Sequence, residues 1–136
     1  MSVPESKRAE GQLKVLMKSR ALTARTLRIC SNEKHFPKRL RWLYTVHICN
    51  ECNGMYSSII KANSVYVLTE EDARLRIRYW REAYAFSSSF AAYIDLALDL
   101  SEVNIDTIHS WRVELEEVKN LIRSRINAET RRFKNG

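Results

Sequence analysis

Apolar residues recur at helical spacing along almost the whole chain. Leu13, Leu16, Met17, Ala24 and Leu27 mark a first helix from about residue 10 to about residue 31, with Lys14, Lys18, Arg25 and Arg28 largely outside the stripe. After a connection at 32–36, Pro37 suits a first helical turn, where its fixed φ and missing donor do no harm. The second helix then runs to about Asn63 on Leu40, Leu43, Tyr44, His47, Ile48, Cys52, Met55, Ile59 and Ala62, with Gly54 as a flaw or a close-packing point. A third helix spans Thr69 to Leu100. Thr69 and Asp72 are spaced to satisfy each other's backbone donors at its start, and Ala73, Ile77, Trp80 and Tyr84 form its inner face. The serines 87–89 read as a thin, closely packed or slightly bent segment within it. Ser101 to Ile105 leads to a fourth helix from about Asp106, whose stripe is Ile108, Trp111, Leu115, Val118, Ile122 and Ile126.

Four amphipathic helices with short connections predict an all-α, up-down-up-down four-helix bundle. Residues 1–9 read as a flexible tail, 10–132 as the bundle and 133–136 as a frayed end. Only three glycines and two prolines in 136 residues agree with long helices and few turns. The apolar supply exceeds one core, because Ile29, Trp42, Ile60, Val65, Tyr66, Val67, Tyr79, Phe86 and Tyr93 lie off the main stripes. A surplus of that kind points to self-association. No run of eighteen apolar residues occurs, and the first ten residues do not form a signal peptide, so a cytoplasmic location without a membrane partner is expected.

Charge sharpens the picture. The net charge is +7, and it is unevenly spread. Residues 11–48 hold nine Lys or Arg against Glu33 alone; 82–118 hold eight acids against Arg112 alone; 119–134 hold six bases against Glu129. Basic surface of this kind suits a polyanionic partner, since neutralised phosphates release counterions. The densest candidate is the third helix, where Arg74, Arg78 and Arg81 share a face, Arg76 is turned further round, and Tyr79 or Trp80 could stack on a base. For Trp80 the core reading is the favoured one. Lys38, Arg39 and Arg41 form a second patch, and Arg123, Arg125, Arg131 and Arg132 a third that also complements the helix dipole.

Other chemistry is thin. His47, Cys49 and Cys52 form H-x-C-x-x-C, but a structural zinc site takes four ligands, and Cys30, His35 and His109 are isolated in sequence. Neither a metal nor a disulfide is expected, and no cofactor. Ser87 to Ser89, the cysteines, Glu114, Glu116 and Glu117 are reactive types with no base and orienting group placed beside a nucleophile. Gly-rich phosphate loops, HExxH and paired CxxC are absent. The expectation is a protein with no catalytic activity.

FPKRLR at Phe36 to Arg41, KANSV at Lys61 to Val65, ARLRIRYW at Ala73 to Trp80, and E-V-x-x-L-I at Glu117 to Ile122 follow in an order and spacing that covers most of 12–132. In this the chain resembles the Avd proteins, accessory variability determinants of diversity-generating retroelements. It is more distantly similar to four-helix-bundle proteins encoded in intervening sequences of bacterial 23S ribosomal RNA genes. The resemblance implies a non-catalytic bundle assembling as a homopentamer that presents basic surface. It also implies association with a reverse transcriptase and its template RNA, or a cDNA hybrid, during mutagenic retrohoming. By position, Arg78 matches a basic residue before an aromatic pair and Lys38 the basic position after Pro37, whereas Glu82 departs from a further basic position. Two alternatives stand beside this reading: a protein-interaction scaffold whose acidic segment Glu82 to Glu117 recruits a basic partner, and an RNA-associated bundle unrelated to reverse transcription.

Overall fold

A computed structural model describes residues 5–100 and 103–135. Four long helices make up the fold: α1 (Glu5–Ser31), α2 (Val46–Ser64), α3 (Glu70–Leu100) and α4 (Ile105–Asn135). Each helix packs on its neighbours in the order α1, α2, α3, α4 and back to α1, closing a four-sided bundle. Every adjacent pair is antiparallel. Gln12 and Thr23 of α1 meet Asn63 and Cys52 of α2. Gly54 and Lys61 of α2 meet Phe86 and Tyr79 of α3. Tyr84 of α3 meets Arg123 of α4, Arg112 of α4 meets Asp95 of α3, and Trp111 of α4 meets Thr26 of α1. The chain is therefore an all-α, up-down-up-down four-helix bundle.

Local chemistry accounts for the starts. Thr69 Oγ1 accepts from the Asp72 amide at 3.1 Å, and Asp72 Oδ2 accepts from the amides of Thr69 and Leu68, at 3.1 and 3.0 Å. Those two donated bonds hold the Asp72 carboxyl below its usual range. At α4, Asn104 Oδ1 accepts from the Thr107 amide at 2.8 Å, placing this cap one residue before the helix. The serine run does not break α3: Ser87 is fully buried and its hydroxyl bonds back to the Tyr84 carbonyl at 2.6 Å.

Where the chain departs from its expected boundaries, the backbone explains it. α1 begins at Glu5, so 5–9 are helical, while residues 1–4 lie outside the described residues; α4 continues through 133–135. Ser101 and Glu102, expected in the last connection, also lie outside them. The second helix does start after Pro37, but as a 3₁₀ turn (Lys38–Leu40) followed by a π turn (Arg41–Thr45) before α2 proper. A π turn adds about one residue and rotates what precedes it. Leu43 is consequently turned out, 78% exposed, and His47 is exposed with its ring stacked on Tyr93, while Tyr44 and Thr45 go in.

The buried face of α1 is also not the expected one. Leu13, Met17 and Leu27 are exposed, whereas Val15, Ser19, Leu22, Thr23, Thr26, Ile29 and Cys30 are buried. Its polar members hide their hydroxyls: Ser19, Thr23 and Thr26 donate to the carbonyls of Leu16, Ser19 and Leu22. Thr26 Oγ1 in turn accepts from Trp111 Nε1 at 3.0 Å. The α3 and α4 stripes do lie inside, with Trp80, Ile94, Trp111, Leu115 and Ile122 fully buried. Of the off-stripe apolar residues, Ile29 is buried and Trp42, Ile60 and Tyr66 are exposed; Val65, Val67, Tyr79, Phe86 and Tyr93 are half-buried.

Candidate nucleic-acid interface

Arg74, Arg78 and Arg81 all stand exposed on α3. Arg74 pairs with Glu70 at 2.9 Å and lies 5.4 Å from the Phe133 ring of α4. Exposed pairs of this sort are weak and exchange readily, so Glu70 does not remove Arg74 from use. One turn beyond Arg81, Tyr84 faces α4, where Arg123 Nη2 donates to its hydroxyl at 2.6 Å. The Arg123 guanidinium and the Lys119 ammonium sit 5.4 and 5.2 Å from the Tyr84 ring. Donation by Arg123, ahead of all else, lowers the Tyr84 phenol below its ordinary value. The α3–α4 side of the bundle thus carries Arg74, Arg78, Arg81, Lys119 and Arg123 with Tyr84 among them, a surface of guanidinium groups and an aromatic ring that can take phosphates and stack a base. The sequence pattern does not single out Lys119 and puts Tyr84 on the inner face, whereas Tyr84 is half-buried at the α3–α4 seam; only the antiparallel register brings the two to Arg123.

The remaining predicted residues fall elsewhere. Arg125 is not on the surface: it is 8% exposed, and its guanidinium donates to buried Glu129 at 3.0 Å. Its place on the helix turns it toward α1, where Gly11 leaves room for it. Lys38, Arg39 and Arg41 are exposed, with Lys38 3.5 Å from Glu33, but they occupy the opposite end of the bundle, roughly 30 Å from the α3 arginines at about 1.5 Å per helical residue. Trp80 is fully buried and cannot stack on a base; Tyr79 is half-buried beneath Lys61, 6.0 Å away.

The acidic segment is partly consumed internally. Arg112 binds Asp95 and Glu116 at 2.9 and 2.8 Å, Arg25 binds Glu114 at 2.7 Å, and Lys18 binds Glu117 at 3.1 Å. The fold brings Cys30 beside Cys49, two thiols that were apart in sequence; Cys30 donates to Cys49, which raises the first and lowers the second. Cys52 is buried against Thr23, and burial pushes its thiol up to about 11. All three are free, and among the described residues no group of three or more His, Cys, Asp or Glu is placed to hold a metal ion. No helix among those residues is long and apolar enough to cross a membrane.

Fold and surface together define the class: a helical bundle with one strongly cationic side. Comparison with protein-family models, curated proteins and solved structures yields no match.

Proposed function

We propose that this chain is a non-catalytic nucleic-acid-binding subunit, an accessory to a reverse transcriptase and its template RNA in the manner of the Avd proteins it resembles. The observation that carries the nucleic-acid part is the exposed row Arg74, Arg78 and Arg81 beside Tyr84, Lys119 and Arg123. The retroelement part rests on the ordered motifs from FPKRLR to the last helix. Self-association, as a pentamer by that resemblance, fits the exposed Leu13, Met17 and Leu27 on α1, and would multiply weak phosphate contacts into avid binding. The scaffold reading is the weaker one only as far as Glu114 is concerned, which Arg25 holds in a half-buried pair; the more exposed carboxylates of Asp95, Glu116 and Glu117 exchange partners as readily as Arg74 does.

Binding of template-like RNA, measured by filter retention at several salt concentrations, tests the surface. Replacing Arg74, Arg78 and Arg81 together by Ala should weaken binding at least tenfold and flatten the logarithmic salt slope by about 0.7 per lost phosphate contact on a single strand. Helicity by circular dichroism should be unchanged. An unaltered affinity and slope would rule this face out, and salt-independent retention by the parent protein would favour the scaffold.

A further inference from the structure

Where α1 and α3 begin and α2 and α4 end, three guanidinium groups surround one carboxylate. Glu129 is 3% exposed; Arg125 Nη2 lies 3.0 Å and Arg76 Nη1 3.5 Å from its Oε1, and Arg132 Nη2 lies 3.7 Å from its Oε2. Two of these separations exceed the 2.7–2.9 Å or so of a good charge-assisted bond. Among the described residues, one carboxylate therefore leaves about two positive charges uncompensated in a half-buried place. The Nε atoms of Arg76 and Arg125 are buried with no acceptor among those residues, although Arg76 Nη2 does donate to the Val65 carbonyl. Burial lowers Arg76 below its ordinary value, Glu129 opposes this, and Arg132 and Arg125 lower it further. Such a cluster is costly to keep unless something negative completes it.

An open cavity of about 420 Å³ lies against it, lined among others by Arg76, Arg132, Asn63, Gln12 and Tyr66. Asn63 donates to the Gln12 carbonyl at 3.5 Å, which orients its amide, and its Oδ1 is buried with no donor. The missing partner of the arginine cluster thus carries oxygens with about two negative charges. The volume is within the roughly 300–1,000 Å³ of small-molecule sites and too large for a bare ion. Tyr66, 79% exposed at the rim, offers a ring for the body of the ligand.

We propose that this cavity binds a phosphate monoester, its phosphate on Arg76 and Arg132 and its body against the Tyr66 ring. The phosphate accepts from the two guanidinium groups, whose planar forks match its oxygens. A free sugar phosphate and the 5′-phosphate end of an RNA share this chemistry. The site is built from different residues than the Arg74, Arg78 and Arg81 row and does not depend on it.

Isothermal titration calorimetry of the full chain with ribose 5-phosphate, and with a short RNA carrying either a 5′-phosphate or a 5′-hydroxyl, tests the assignment. Saturable binding of ribose 5-phosphate but not ribose, or of the phosphorylated RNA at least tenfold more tightly than its twin, is expected; the first identifies a metabolite and the second an RNA end. Arg132→Gln, at the rim of the cluster, should weaken that binding about tenfold with helicity retained, and Arg28→Gln, at an exposed position of α1 outside both proposed sites, should leave it within twofold. Failure of both phosphorylated probes to outbind their dephosphorylated counterparts overturns the proposal. Equal losses from Arg132→Gln and Arg28→Gln would do so too, because the attraction would then be general rather than local.

Discussion

Phe86 fills the space in which a side chain at position 54 would stand: a Cβ there would lie 2.4 Å from the ring. Glycine inside a helix ordinarily costs about 1 kcal/mol relative to alanine, so its presence in α2 reflects close helix approach rather than helix propensity. Gly54→Ala should be destabilising by up to about 2 kcal/mol, since overpacking of about 1–3 kcal/mol offsets all of the roughly 1 kcal/mol propensity gain or exceeds it. A lowered thermal midpoint is expected, and Gly54→Ala made on a Phe86→Leu background should instead be neutral or stabilising. If both backgrounds respond alike, Phe86 is not the obstacle. Gly11 answers to the same rule at the other interface, with Arg125 Nη1 2.8 Å from its Cβ position. The position of Gly54 as a packing point was legible in the sequence as one of two options; Gly11 was not, because the arginine it accommodates lies more than a hundred residues away.

Helix by helix, legibility follows the chemistry that carries the signal. α3 declares itself through its cap and its stripe of large apolar residues, and α4 through its stripe alone, its Asn104 cap emerging only in the structure. α1 does not, because it offers two faces. The one with more carbon, Leu13, Met17 and Leu27, is outside, and the one with Ser19, Thr23 and Thr26 is inside. Hydroxyls that bond to their own helix cost little to bury, so hydrophobic ranking misjudges them. The outward face has a consequence. An apolar hollow at Leu13 and Met17, flanked by Lys14 and Lys18, is the surface that the proposed self-association would cover. Leu13→Glu combined with Met17→Glu should reduce the assembly's mass in multi-angle light scattering while leaving helicity intact; an unchanged mass would place the subunit contact elsewhere.

At the scale of the whole molecule, antiparallel topology distributes the charge. The basic end of α4 lies beside the arginine-rich start of α3, as Arg74 with Phe133 and Arg76 with Glu129 show, whereas Lys38, Arg39 and Arg41 project from the far end. A short single strand of about six nucleotides has no need of both ends. Replacing Lys38, Arg39 and Arg41 by Ala should therefore alter its binding less than threefold, against at least tenfold for the Arg74, Arg78 and Arg81 variant. Equal losses would mean that the cationic surfaces act as one.

Helix number, order and the long apolar stripes of α3 and α4 were determined by the sequence itself, because helical periodicity and capping are local and repeat every few residues. Which side of α1 goes inside, the π turn that swings Leu43 out, and the fate of each arginine were decided only in three dimensions. Arg78 and Arg125 are the same residue on the same kind of helix. One meets water and the other a buried carboxylate, since a side chain's surroundings depend on what distant segments bring to it.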